Sequence, residues 1–530
     1  MRRLFFFLSL LILARSVAQE NFSVHVNPSL MPGIPTLHSG AFARYNNLWI
    51  FAGGRTNGLH GFFGPLAFPL AEANNAIWVY DPVNFQSWNL SLLSLPDSIR
   101  EPIASSNMQF TQNDSMLYMA GGYGWKNDTA GFVTFPTLTA IHLPGIIAAA
   151  QNSGNPAQHI RSIRDTRLAV CGGEMEKIDS IYYLVFGHKF DGLYNRVSGG
   201  GGFTQHYTHQ IRSFTILDNG QNLSLDNYQS LTDSLNFRRR DYNLVPQIFP
   251  GSQYGLTAFA GVFQPGIDQP YHTSTNITPG NAQHYAAFSQ NLSQYTCATL
   301  PIYDQSAEHM HTIFFGGMSK FFPDTLTGTL VTDTLIPFVK TISRVSRDAN
   351  GNMNEFALPE VLPELMGSNA RFVPVAGVPL LHEKIIDLNA LNGNTLVGYI
   401  INGISSPDAN ISSTDPSLSW ATQQILEVYI DKTVTSNELQ VREPWEFSIF
   451  PNPSEDGNIS LNFSGKEKTA LAIEIFDQLG RKIEDAKTIR LNSSGRKSLD
   501  WNLSTLKAGL YYIRATGASY TSTQRLIIGK

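Results

Sequence analysis

Few side chains in this sequence stand at spacings that chemistry would need. His309 and His311 are two apart, so an extended backbone puts both on one face. His206 and His209 stand beside a glycine run at 199–202. A metal site needs three or four converging ligands. Neither pair supplies more than two, so His309 and His311 are expected as hydrogen-bonded strand residues, and no metal or cofactor is expected. Asp348, Asn350, Gly351 and Asn352 have the oxygen-rich make-up of a calcium loop. The glycine is fourth rather than sixth and no glutamate stands twelfth, so the stretch reads as a hairpin turn. The glycines at 199–202 precede neither Lys-Ser/Thr nor a helix, which argues against a phosphate loop. No Gly-x-Ser-x-Gly occurs in a strand–turn–helix setting.

Arginines and large aromatics remain. Arg55, Trp125, His206, Tyr207, Arg239 and Arg371 are the ligand-binding candidates, and no catalytic residue is assigned. Aromatic faces stack on sugars, and arginine forks grip carboxylates or a protein surface. The competing expectation is that each packs its own loop.

The elements that must position these residues share one phrase, an apolar run closed by glycine. It occurs at 48–54, 116–122, 181–187, 256–261, 311–317 and 396–403. Such a run reads as a buried strand, and the closing glycine marks a sharp turn or a close backbone approach. Six copies at about 70-residue spacing indicate a repeat architecture. The first copy lays out a four-stranded unit: strands at 39–45, 48–54, 76–80 and near 86–93. That is the unit of a propeller blade. Other first strands are expected at 106–111, 167–172, 241–249, 295–303 and 370–376. Third strands are expected at 137–143, 210–217, 283–289, 334–343 and 424–430. The sixth repeat stops after its third strand, while 22–27 reads as a strand with no blade before it. The N-terminal strand is therefore expected to complete the last blade, because an open ring would leave exposed strand edges.

The connections between second and third strands are long, at 55–75, 123–136, 188–209, 262–282, 318–333 and 404–422. Loops of this length are commonly functional. They emerge on the same face as the connections between blades, and they carry most of the candidates named above.

Three of the phrases, Phe51-Ala-Gly-Gly54, Met119-Ala-Gly-Gly122 and Phe314-Phe-Gly-Gly317, resemble the kelch double glycine, and Trp78 to Asp81 with Trp88 resembles its second half. The resemblance covers roughly residues 19–433 and implies a six-bladed kelch-like β-propeller. It departs from the family in repeat length and in the three repeats that keep a single glycine.

Bulk properties fit this picture. The chain has 530 residues, too many for one ordinary core. Charged residues are 15% and the formal charge is -5, which gives no electrostatic reason for nucleic acid binding. Cys171 and Cys297 are the only cysteines, which excludes a disulfide framework. They are expected as buried free thiols in the first strands of blades three and five, too far apart for the Cα separation of about 7 Å that a bridge allows. Residues 1–18 read as a signal peptide, basic and then apolar for about ten residues, short of the roughly 20 that span a bilayer. No transmembrane segment is expected.

From 434 to 445 the chain turns polar and reads as a linker. Residues 446–530 then alternate apolar and polar between turns, as in a small immunoglobulin-like β-sandwich, expected to fold with few contacts to the propeller. Pro451-Asn452-Pro453, the turn with Gly480 and Arg481, the segment with Gly509 and Tyr511, and the basic end at Lys530 closely resemble the type A sorting domain of type IX secretion. That resemblance implies export, engagement of the type IX translocon, and a destination outside a Gram-negative cell or at its outer-membrane surface, with the domain usually cleaved. The expected fold class is all-β. The expected function is a secreted or cell-surface binding protein for a glycan or protein ligand. A sugar-active enzyme of mutarotase or lyase type, or a structural and adhesive surface component, are the alternatives.

Overall fold

The computed structural model describes residues 19–529 apart from 62–66, 195–201, 267–268, 325–329, 412–414, 434–435, 438, 441–444, 466–468, 478–480, 484–485, 492–495 and 518–520. The signal-like segment, most of the glycine run, Gly480 and Lys530 lie outside the described residues. The protein is all-β in character, built of many small antiparallel sheets, as a propeller requires.

Six sheets contain a four-stranded antiparallel meander, with innermost strands Ala41–Tyr45, Gln109–Asn113, Glu174–Ile178, Asn243–Phe249, Ala298–Asp304 and Arg371–Pro374. The sixth is completed by Ser23–Ser29, which pairs with Ile425–Asp431 from Ser23↔Asp431 to Ser29↔Ile425. The N-terminal strand therefore lies where the incomplete sixth repeat requires it.

The recurring phrase ends each second strand on two residues with positive φ: Gly53 and Gly54, Gly121 and Gly122, Phe186 and Gly187, Ala260 and Gly261, Gly316 and Gly317, Asn402 and Gly403. The second position admits only glycine. A Cβ on Gly403 would lie 2.7 Å from the Ser368 carbonyl oxygen, and one on Gly261 2.7 Å from Tyr242 Cβ. The first position tolerates Phe, Ala and Asn at a cost of about 1–2 kcal/mol each, which is why three repeats show one glycine. The second glycine's N–H donates to the next unit: Gly54 to Ser105 O at 2.8 Å, Gly122 to Val170 O at 2.8 Å, Gly187 to Arg239 O at 2.9 Å, Gly317 to Met366 O at 2.9 Å. Gly403 returns to Leu37 O at 3.1 Å, which joins the last unit to the first. Apolar clusters fill the spaces between neighbouring sheets, such as Ile50, Val79, Leu117 and Ile141 between the first two.

Three strand expectations shift. The third sheet starts at Glu174, not 167, because Thr166–Leu168 forms a 3-10 turn capped by the Asp165 carboxylate. Leu168 and Val170 are buried as a connection between sheets, which gave that stretch its strand-like apolarity. Cys171 accordingly precedes its strand, and Cys297 likewise stands just ahead of Ala298–Asp304; both thiols are free and buried. The fourth sheet's third strand is Ser274–Thr278, and 283–289 overlaps its outer strand Asn281–Tyr285 instead. Polar composition hid it, although Ser274, Thr275 and Ile277 are buried. The fifth sheet's third strand is Thr341–Arg347, later than expected. Two short helices, Asp97–Ile103 and Leu143–Gln151, fill outer gaps in the first pair of units.

The C-terminal part forms two sheets around one core that includes Ile459, Leu461, Trp501 and Ile513. Its motifs have structural reasons. Asn452 Nδ2 donates to Arg525 O at 2.6 Å while its Oδ1 accepts from Ile527 N–H at 2.9 Å, which ties the Pro451–Pro453 segment to the last strand. Arg481 Nε donates to Asp477 Oδ2 at 2.7 Å, and Tyr511 Oη donates to Lys507 O at 2.9 Å. Two expectations change here. The stretch 434–445 is no free linker, since Ser436–Asn437 pairs with Gln19–Glu20 and Leu439–Gln440 pairs with Phe356 and Ala357 at the fifth sheet's outer edge. Phe321, from a loop of the fifth unit, is buried within the C-terminal core.

Deleting residues 19–30 is expected to unfold the ring as a whole. Phe22, Val24 and Val26 are buried, and at about 1.5–3 kcal/mol each they represent much of the about 5–15 kcal/mol by which domains are stable. Thermal melting followed by circular dichroism checks this. A transition matching that of the undeleted protein would show the strand to be peripheral.

Candidate functional site

Six residues at the heads of the inner strands repeat one conformation. Ser39, Asn107, Gly172, Asp241, Thr296 and Asn369 all have φ between 48° and 62°. Asn, Asp and Gly adopt this left-handed region most readily. Backbone hydrogen bonds run between them from unit to unit: Asn107 N to Ser39 O at 2.9 Å, Gly172 N to Asn107 O at 3.1 Å, Asp241 N to Gly172 O at 2.9 Å, and Asn369 N to Thr296 O at 2.5 Å. With the first residues of the inner strands they enclose a cavity of about 220 Å³ to which all six sheets contribute. It lies at the strand ends from which the long loops leave. That volume is below the about 300–1,000 Å³ of drug-sized pockets, so it suits one small polar ligand.

The cavity is polar and holds opposed charges. Glu174, Asp241 and Arg371 line it together with Ser39, Asn107 and Thr296. Asp241 is already engaged, since its Oδ2 accepts from Arg240 Nε at 3.0 Å. Below it, Glu176 accepts from Thr111 Oγ1 at 3.0 Å and pairs with Lys384. Glu174 has no side-chain hydrogen bond among the described residues. Burial pushes its carboxyl up to about 7; Arg371 opposes that rise, while Glu176 and Asp241 add to it. Arg371 stacks 4.2 Å above the Phe110 ring and donates one long hydrogen bond, 3.4 Å, to Gly40 O. Burial lowers its pKa and Glu174 raises it.

A cationic and aromatic layer adjoins this cavity through Asp241. Arg240 Nη1 donates to Tyr207 Oη at 2.6 Å, and Arg238 lies 4.0 Å over the same ring. His188 hydrogen-bonds Gln205 at 2.7 Å; burial first, then Arg240 and Arg238, hold it well below the ordinary histidine value. The loops themselves close into two small cores. Phe68, Tyr123, Phe132 and Phe190 form one with Trp125, Tyr194 and Phe203 packed on it; Met318, Ile336, Phe338 and Ile404 form the other.

The structure separates the sequence-selected candidates. Arg371 lines the cavity, and Tyr207 reaches it through Arg240 and Asp241. Arg55 is buried, with Nη2 donating to Pro69 O at 2.7 Å and Nε to Asn57 at 3.1 Å, so it organises its loop. Trp125 packs edge-on against Phe132 and donates to Asn127 at 3.1 Å. His206 is exposed on the strand Phe203–Tyr207. Arg239 is fully buried, its guanidinium spent on Asn236 O, Ala260 O and Thr273, because neighbouring residues in an extended run face opposite ways. Its neighbours Arg238 and Arg240 face Tyr207 instead. Among the other selected features, His311 is buried and bonded to Ser346 at 2.7 Å, and Asp348 Oδ1 accepts from Asn350 and Asn352 N–H as a hairpin turn. Among the described residues, no group of three or more His, Cys, Asp or Glu is placed to hold a metal.

Sequence reasoning missed Glu174, Asp241 and the ring of left-handed residues. A faint signal existed. Ser39, Asn107 and Gly172 each stand fifteen residues before the second glycine (39 to 54, 107 to 122, 172 to 187). Longer hairpins in the later units break that spacing.

The raised carboxyl has a stability consequence. With a folded value about 7 against an unfolded value near 4.3, the native state binds more protons than the unfolded state in that window. Stability attributable to Glu174 therefore falls as pH rises from about 4.5 to 7. Glu174→Gln is expected to raise the melting temperature relative to wild type at pH 8 and much less at pH 5. Equal melting differences at both values would contradict a proton-holding Glu174.

Residues 448–529 match the family model described as secretion system C-terminal sorting domain. No curated protein matches the chain in sequence. Among solved structures the chain is similar to the structure of YjhT, at 11% identity and TM-score 0.42, over 76% of this chain and 99% of that one. So slight a likeness says nothing of ligand or family. Among the described residues no helix is long and apolar enough to cross a membrane. The C-terminal residues 448–529 are a type IX secretion sorting domain, which implies contact with the secretion machinery and a destination outside the cell or at its surface.

Proposed function

We propose that this is a secreted or cell-surface binding protein whose six meander sheets are the blades of a kelch-type propeller, residues 19–433, with a small ligand bound in the cavity where their inner strands begin. The tether is 434–445, and 446–530 is an immunoglobulin-like sorting sandwich that the translocon reads; 1–18 is the export signal. The observation that carries the binding reading is the axial cavity, in which a stacked arginine with free donors faces a carboxyl that no protein group holds. Concave, polar and built by every blade, it suits a single sugar unit of a glycan better than a protein surface. An adhesive role is less well supported, because most loop aromatics are consumed in the two loop cores rather than displayed.

A second reading, a sugar-active enzyme, is favoured by one observation. Glu174 titrates near neutrality inside the cavity, as a general acid or base should. Turnover of a bound sugar lost in Glu174→Gln, with binding retained, would select it.

Two experiments test the main reading. A glycan array probed with the full chain is expected to show binding that Arg371→Gln weakens at least tenfold with little change in melting temperature; undiminished binding would place the ligand elsewhere. Removing residues 446–530 is expected to trap the protein in the periplasm of a host with type IX secretion, read by fractionation and immunoblot. Arrival at the surface without them would overturn the export assignment.

A further inference from the structure

We propose that the axial cavity is a carboxylate site, in which Arg371 takes the charge of an acidic sugar and Glu174, in its protonated form, donates a hydrogen bond to the same ligand. This rests on the reading of the cavity as the ligand site and adds to it the chemical class of the ligand and a coupling to protons.

Three charged side chains line the cavity, Glu174, Asp241 and Arg371. Asp241 from the fourth unit is paired with Arg240, and Glu176, on the same strand as Glu174, is paired with Lys384. Arg371 from the sixth unit and Glu174 from the third remain. Among the described residues they form no ion pair within 4 Å, so each keeps its capacity for a ligand. Arg371 is prepared for a flat anion. The Phe110 ring fixes the plane of the guanidinium, and one long bond to Gly40 O uses a single donor of five. A planar fork held by stacking, with its donors free, grips a carboxylate through two parallel hydrogen bonds.

Glu174 sets the condition for binding. An ionised Glu174 beside an incoming carboxylate would place two like charges in an enclosed space, which favours protonating one of them. Its carboxyl already sits at about 7, so the proton is available near neutrality. Binding then takes up one proton: the ligand's anion, the Glu174 carboxylate and a proton become a neutral carboxylic acid hydrogen-bonded beside an arginine–carboxylate pair. The rest of the lining is neutral. Ser39, Asn107, Thr296 and Asn369 bring hydroxyls and amides from four further positions in the ring, suited to the hydroxyls of one sugar ring.

The test uses the full chain and two probes of the same shape, glucuronate and uncharged glucuronamide, titrated calorimetrically at pH 6 and pH 8. Glucuronate is expected to bind about tenfold more tightly at pH 6, as follows for a group half-protonated near pH 7, while glucuronamide shows no such dependence. Glu174→Gln, which always presents a donor, should bind glucuronate equally at both pH values. Arg371→Gln should lose at least tenfold at pH 6, with folding of both variants verified by melting. Equal binding of the two probes, or pH-independent binding of glucuronate by the wild type, would overturn the carboxylate inference and leave the cavity a ligand site. Failure of both probes to bind also overturns it. Array ligands that bind undiminished in Arg371→Gln would instead refute the cavity reading itself.

Discussion

Everything in the ring depends on one backbone constraint, two consecutive left-handed residues at the end of each second strand. They swing the chain so that the second N–H reaches a carbonyl of the next unit, as Gly187 does to Arg239 and Gly403 to Leu37. A Cβ at the second residue would run into the head of its own unit's first strand, 2.4 Å from His38 O at Gly54 and 2.7 Å from Ser368 O at Gly403, so glycine there is a steric requirement. At the first residue the requirement differs between units: a Cβ on Gly53 would lie 2.3 Å from Ile103 O and one on Gly121 2.0 Å from Val170 O, whereas Phe186, Ala260 and Asn402 stand there in three other units at a conformational cost. The same inter-unit stitching draws the heads of the inner strands together, where a second set of left-handed residues rings the cavity. Architecture and candidate site therefore share one cause.

This explains what was legible in the sequence and what was not. Second strands were legible because they are buried on both faces and closed by an obligatory glycine. The closing strand was legible by elimination, since the sixth repeat lacked one and 22–27 was spare. Segments whose burial comes from neighbouring units rather than from their own sheet misled: Leu168 and Val170 looked like a strand while serving as a connection, and Ser274–Thr278 looked like a loop while serving as a strand. The site was less legible because its charge pattern is made by convergence. Arg371 and Glu174 are 197 positions apart (371 minus 174) and meet only through the ring. Arg238 to Arg240 looked uniform in sequence, yet the connection they form buries the middle one and aims its neighbours at Tyr207.

The cavity differs from the loop face above it in what holds its polar groups. In the loops, cations are satisfied within the protein: Arg55 by Pro69 and Asn57, Arg239 by three residues' oxygens, Arg240 by Asp241 and Tyr207. Buried polar groups so paired confer shape rather than reactivity. In the cavity, Glu174 is half-buried without a side-chain hydrogen bond and Arg371, also half-buried, has a single long one. A carboxyl walled by protein and left without a partner is costly to ionise, and a fold has little structural use for it. The contrast separates a scaffold for the site from the site.

Ring closure also constrains the order of assembly. Ser23–Ser29 follows closely on the expected export signal, yet its partner Ile425–Asp431 comes some 400 residues later. Pairing so distant in sequence cannot form until nearly the whole chain is available. The segment after that partner then runs back along the ring, pairing at Gln19–Glu20 and at the outer edge of the fifth sheet before it enters the sorting domain. Phe321 of the fifth unit completes the sorting domain's core. The N-terminal strand, the tether and the sorting domain are thus all anchored at the fifth and sixth units. The sorting domain is therefore held to the ring twice, through its tether at the outer edge of the fifth sheet and through Phe321 in its core.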